Sequence, residues 1–233
     1  SLQKQDKETK KAVPQGDATL EKAVYGLYAR EDIVHPDGAT GVIYKAGEQV
    51  ATLTTDKNGQ ASVDGLYLGN YYVKEITPPT GYLADEEEHD LVCNYEGDFV
   101  AEVKRDCLSL EQVMKQPFEI IKAANNGKTD ADLLKGAGFT AYLVSSLTVK
   151  EDGSYDFGSA KPVVIGENGA TEMFTDEKGY ACSIALPYGT YIVRETTTPH
   201  NYTPVDDFTV RITENNPNQP QTWRVLLDDE FEA

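Results

Sequence analysis

Two stretches of the chain, "GNYYVKEITPPTGYL" at residues 69–83 and "GTYIVRETTTPHNYT" at 189–203, carry the same Gly, Tyr, Val, Glu, Thr, Pro and Tyr in register. Both are rich in β-branched and aromatic residues, the composition that strands favour. Each opens after a glycine and closes at a proline, so turns bound it. The glutamates, Glu75 and Glu195, stand in the middle of apolar strands, where a carboxylate is costly to bury. A glutamate kept twice in such a place needs a partner that makes it tolerable.

The agreement extends well beyond these stretches. Residues 55–82 and 175–202 align without a gap, and 12 of the 28 positions are identical. Upstream, "LEKAVYGLYA" (20–29) matches "LKGAGFTAYL" (134–143), pairing Leu20 with Leu134, Ala23 with Ala137, Tyr25 with Phe139 and Tyr28 with Tyr142. The chain is therefore two copies of one unit of ordinary domain size. Alternating patterns in "VIYKAGEQVATLTTD" and "FTVRIT", and the apolar "TWRVLL", predict an all-β fold in each copy. Only "SLEQVMKQ" (109–116) reads as helical, where the copies join. The expected domains are 1–116 and 117–233, joined by a short linker with no Gly/Ser-rich tether and held in a semi-rigid line.

Composition narrows the function. The 233 residues carry 39 acidic and 21 basic side chains, a net charge of −18, which repels phosphates and excludes nucleic-acid binding. No apolar run is long enough to span a membrane, so no membrane contact is expected within this stretch. The polar start and abrupt "DDEFEA" end suggest a piece of a longer protein, without a signal peptide or sorting signal of its own. Three cysteines, Cys93, Cys107 and Cys182, match neither a disulfide framework nor a zinc site. All three are expected free, with Cys182, which aligns with Ser62, partly buried. The histidines, His35, His89 and His200, form no ligand pattern and read as scattered surface residues. The turn "DKNG" at Asp56 resembles the start of a calcium loop but lacks that loop's glutamate; a hairpin turn is expected. The acidic run "DEEEHD" (85–90) reads as a solvated loop. Neither a metal nor a cofactor is expected.

These motifs resemble a known family. Lys4-Gln5-Asp6 with Glu8-Thr9, then "KAVY", "TTDKNG" and "LYLGNYYVKEITPPTGY", are similar to the Cna B-type, SpaA-like domains of Gram-positive surface adhesins and pilins. The second copy repeats the resemblance in "FEIIK", "GAGF", "FTDEKG" and "LPYGTYIVRETTTPHNY". It implies two tandem prealbumin-like (Ig-like, transthyretin-type) β-sandwiches. It further implies an intramolecular isopeptide bond in each, from a lysine on the first strand to an Asn or Asp on the last, promoted by a middle-strand glutamate. Glu75 and Glu195 occupy that position. The chemistry is coherent on its own terms. Burial favours a neutral amine and a neutral carboxylic acid; the amine is then a nucleophile, and the acid can donate a hydrogen bond and move protons.

The lysines expected in the bond are Lys4 and Lys122. Phe118, Ile120 and Lys122 alternate onto one strand face, as do Leu2 and Lys4. The last strand of copy one is read as "DFVAEVKRD", which points to Asp106, although Asp106 lies on the face opposite Val103 unless a bulge intervenes. In copy two, "TWRVLLDD" points to Asp228 or Asp229. Parity with Trp223, Val225 and Leu227 favours Asp229; counting from the valine favours Asp228. The second copy also lacks an Asp two residues after its lysine.

The resemblance makes the chain a stalk or shaft module of a cell-wall-associated, extracellular protein, whose partners are neighbouring domains of a longer chain. The alternative is an adhesive module that binds a host matrix protein or glycan directly. No Ser–His–Asp, Cys–His or metal set supports an enzyme, and fold alone would not.

Overall fold

Tyr71, Val73 and Glu75 turn to the same side of the nine-residue strand Gly69–Thr77 and are buried there. Tyr191 and Val193 do the same in Gly189–Thr197. Each strand is central in a four-stranded antiparallel sheet. The orders are Gln49–Thr54, Val24–Ala29, Gly69–Thr77, Glu88–Cys93 and Glu172–Phe174, Gly138–Leu143, Gly189–Thr197, Phe208–Ile212. This is a computed structural model that describes residues 1–124, 132–226 and 231–232. The chain divides into two units, Ser1–Val113 and Met114–Ala233. The division falls before Gln116 because Lys115–Gln116 pairs with Leu186–Pro187 of the second unit.

In each unit a second sheet carries the first and last long strands side by side and parallel. Leu2–Asp6 pairs with Cys107–Glu111, Lys4 opposite Ser109. Phe118–Ala124 pairs with Gln221–Leu226, Lys122 opposite Val225. The cores are apolar, Leu2, Tyr25, Leu27 and Val73 among the residues of one, Phe118, Ile120, Phe139 and Val193 among those of the other.

Two expectations fail at the end of the first unit. Residues 109–116 form no helix, and among the described residues the only helical turns are two short 3-10 segments, Val144–Ser146 and Glu167–Gly169. Residues 98–106 are not the last strand; that strand is Cys107–Glu111. The cause is parity. Ser109, Glu111 and Val113 are buried at alternate positions, so this strand turns two polar side chains inward and hides its period from a hydrophobicity reading. The run at 85–90 is also not a plain solvated loop. Asp85 is buried, and Glu88–Cys93 is a strand.

The repeated turn has a clear purpose. The Thr55 hydroxyl accepts from Ala23 N–H and donates to Leu20 C=O; the Thr175 hydroxyl treats Ala137 and Leu134 identically. Asp56 and Asp176 accept backbone N–H groups of their own hairpins. Gly59 and Gly179, at φ 73° and 66°, then lend their C=O to the backbone N–H of Lys4 and Lys122, at 2.8 and 2.7 Å.

The copies differ after the lysine. Asp6 accepts N–H bonds from Glu8 and Thr9 and the hydroxyl of Tyr82, and Tyr82 is fully buried. The second copy has Ala124 in place of this Asp, and its equivalent tyrosine, Tyr202, is 42% exposed. The three thiols are free. Cys182 is exposed rather than partly buried, because it points away from the buried Ala181; Cys93 and Cys107 lie in different sheets.

Burial works against the Asp6 carboxylate, but its N–H and hydroxyl donors outweigh this and hold its pKa below the usual 3.8. In that interval the unfolded chain binds a proton that the folded chain does not. Its stabilisation is therefore present above 3.8 and lost as pH falls below it. Asp6→Ala should cost about 1–3 kcal/mol at neutral pH, because the Tyr82 hydroxyl stays buried and unpaired. It should also flatten the acid limb of urea midpoints plotted against pH.

Candidate functional site

A lysine inside a β-sandwich needs every neighbour arranged around its charge, and the first unit supplies them from three other strands, Val24–Ala29, Gly69–Thr77 and Cys107–Glu111. Lys4 is fully buried. Its Nζ donates to Glu75 Oε1 at 3.1 Å and to the Tyr25 hydroxyl at 3.1 Å, and it meets Glu111 Oε1. Tyr25 lies directly across from Glu75 in the sheet, and the register shifts beside this pair. Glu75 faces the opposite sheet by ordinary alternation, on the same side of its strand as Tyr71 and Val73. Glu75 Oε2 accepts Asp85 N–H at 2.6 Å.

Beyond these groups the polar cluster continues. The Tyr25 hydroxyl donates to Glu111 Oε1 at 3.0 Å and lies 2.7 Å from Ser109 Oγ. Ser109 donates to Asp85 Oδ2 at 2.7 Å, and His89 Nε2 lies 2.7 Å from the same oxygen. Glu111 Oε2 is buried with no partner among the described residues. Asp85, Glu87 and His89 bring possible ligand atoms within 4.8 Å of one another, but Asp85 Oδ2 already serves Ser109 and His89. His89 is thus half-buried and bonded rather than a plain surface residue.

The second unit repeats the centre and not the surroundings. Lys122 Nζ lies 3.3 Å from Glu195 Oε2, both side chains fully buried. Glu195 Oε2 also accepts Val205 N–H at 2.7 Å, the counterpart of Asp85. Phe139 lies across from Glu195 where Tyr25 lies across from Glu75, again beside a register shift. Glu195 Oε1 has no partner among the described residues.

Electrostatics follow burial. Desolvation pulls the Lys4 amine from 10.5 to about 8, against the opposing pull of the Glu75 charge. It lowers Lys122 as well, against Glu195. Desolvation pushes the Glu75 carboxyl up, although Asp85 N–H and Lys4 resist. A lysine closer to neutrality beside a carboxyl closer to protonation is the pair that amide formation requires.

The structure thus brings together Lys4 with Glu75, and Lys122 with Glu195. It does not bring Asp106 to Lys4. Asp106 is 84% exposed and sits beside the Ser1 amino group, 3.6 Å away, because it precedes the last strand. Asp228 and Asp229 lie outside the described residues. Sequence reading missed Glu111, Ser109, Tyr25 and Asp85. The parallel register would have found the first two, since Lys4 faces Ser109 and Glu111 follows two positions later on the same face.

Comparison with known proteins bears on the fold. A family model described as SpaA, prealbumin-like fold domain, matches residues 1–106 and again 117–224. Among solved structures, the Bacillus anthracis TIE protein is 23% identical with a TM-score of 0.57, the match covering 97% of this chain and 32% of that one. The minor pilin GBS52 of Streptococcus agalactiae is 17% identical over 97% of this chain and 92% of its own, with a TM-score of 0.37. The shaft pilin SpaA of Lactobacillus rhamnosus GG is 19% identical over 97% and 94%, with a TM-score of 0.32. The chain spans about a third of the TIE protein. A search of curated proteins finds no match.

A Cβ on Gly179 would stand 2.3 Å from Lys122 C=O and 3.2 Å from Leu134 N. Gly179→Ala should therefore displace the lysine strand. The left-handed backbone alone costs about 1–2 kcal/mol, and the clash adds to it. Thermal melting should show the second unit destabilised by at least that much.

Proposed function

The chain belongs to the family of SpaA prealbumin-like fold domains, twice over, and on that footing we propose that it is a structural module of a Gram-positive surface stalk or pilus. On this reading it works outside the cell, in a wall-associated protein, with neighbouring domains of a longer chain as its partners. It performs no turnover. Its chemistry is one self-modification per unit, a lysine–carboxyl amide tying the first strand to the last. In the second unit Lys122 would join Asp228 or Asp229, with Glu195 moving the protons.

One observation carries the reading: a fully buried lysine on the first strand of each unit, against a buried glutamate, beside a last strand that runs parallel to it. Pulling on the start of the first strand and the end of the last loads that parallel pair in shear, the geometry in which a tie between them bears the force. Closing a ~100-residue loop is worth about 4–5 kcal/mol by the chain-entropy relation for disulfides, applied by analogy. An amide also survives reducing agents, which suits a chain whose thiols are free.

The alternative, an adhesive module for a host matrix protein or glycan, draws on exposed aromatics of the first unit, Tyr95 at 65% and Phe99 fully exposed. Loss of cell-surface binding on Phe99→Ala, with stability unchanged, would favour it. For the structural reading, intact mass decides. Each tie lowers the mass by one water; Glu195→Ala should restore one water and make the second unit more sensitive to heat and protease. A wild-type chain of unmodified mass would remove the crosslinks from this reading.

A further inference from the structure

Resting on the reading that these units tie their end strands covalently, we propose that the first unit's bond joins Lys4 Nζ to the side chain of Glu111, and that the Tyr25 hydroxyl is a catalytic group passing a proton between them. Two carboxyls reach Lys4, and their surroundings assign them different roles. Both oxygens of Glu75 are engaged, one by Lys4 and one by Asp85 N–H. Glu111 meets Lys4 through Oε1 and leaves Oε2 unpartnered. Glu75 is held as a proton carrier; Glu111 presents a carboxyl carbon with no donor committed to its second oxygen.

Tyr25 is placed for the transfer. Its hydroxyl accepts from Lys4 Nζ and donates to Glu111 Oε1, at 3.1 and 3.0 Å. Ser109, which itself donates to Asp85, offers the Tyr25 proton a second resting place at 2.7 Å. The step balances without a co-reactant. The ammonium gives one proton to Glu75, and the neutral amine attacks Glu111 Cδ to form the N–C bond. The bonded nitrogen then gives its second proton to Tyr25, whose own proton moves to Glu111 Oε1, and the C–Oε1 bond breaks. The departing oxygen leaves as water, carrying the proton from Tyr25 and the one returned by Glu75. A buried positive and a buried negative charge vanish together, which removes two desolvation costs. The second unit has Phe139 in place of Tyr25, so it serves as an internal control and shows that the fold accepts phenylalanine there.

The test is intact mass and proteolytic mapping of the whole chain as wild type, Glu111→Ala and Tyr25→Phe. The expected wild type shows a Lys4–Glu111 linked peptide pair and one water lost in the first unit. Glu111→Ala regains that water. Tyr25→Phe keeps its circular dichroism and forms the bond about 10²-fold more slowly, so freshly purified protein retains the water while the second unit's mass is unchanged. A link from Lys4 to any other residue, an unmodified Lys4 beside a bonded Lys122, or a Tyr25→Phe chain bonded as fully as wild type would each overturn the proposal and leave the structural reading standing. Free amines at both Lys4 and Lys122 would overturn the two together.

Discussion

An ammonium group buried between two sheets is the constraint from which the rest of each unit follows. Removing a lysine from water costs several kcal/mol even after relaxation, and a partner repays this only with good geometry and further hydrogen bonds. The repeated residues supply that geometry one by one. The Thr-Asp-x-x-Gly turn clamps the lysine's own backbone through Gly59 or Gly179. Alternation with Tyr71 and Val73, or with Tyr191 and Val193, turns the glutamate inward. A backbone N–H from the following loop, Asp85 or Val205, fixes that glutamate's outer oxygen. The signature in the sequence is thus a set of supports for one ion pair.

This explains which parts were legible from residues alone. Glu75 and Glu195 stood out because a charge recurring inside an apolar strand has no other ready account. Alternation and turn residues gave the all-β class; the resemblance supplied the sandwich and the first-strand lysines, Lys4 and Lys122, with parity in support. The last strand of the first unit did not, because "CLSLE" buries a serine and a glutamate where alternation looks for apolar side chains. With that strand misplaced by several residues, the reading settled on Asp106, which lies beside Ser1, and passed over Glu111, which meets Lys4. Tyr25 was visible only as a core aromatic; its hydroxyl gains meaning from three partners that lie 21, 84 and 86 residues away along the chain.

The two copies also show how one framework tolerates loss at its margins. Where Asp6 caps the loop after the first strand, it pulls Tyr82 into the interior. Where the second copy has alanine, the matching Tyr202 is left facing solvent. Around the lysine, Tyr25 and Asp85 become Phe139 and Val205, and among the described residues Lys122, Glu195 and the Val205 N–H remain. The lysine, the glutamate and the glycine turn persist through these changes. The layer around them is where the copies differ.

The parallel pairing of Leu2–Asp6 with Cys107–Glu111 also governs how far the chain can lengthen. Everything between these strands is slack that they hold out of the line of tension. If the pair parts, about a hundred residues become available at once, roughly 350 Å of contour length at ~3.3–3.6 Å per residue. Were Lys4 tied covalently to that last strand, almost none of this length could be released. The first unit would then be an inextensible link rather than a spring, passing a tug from end to end without absorbing it.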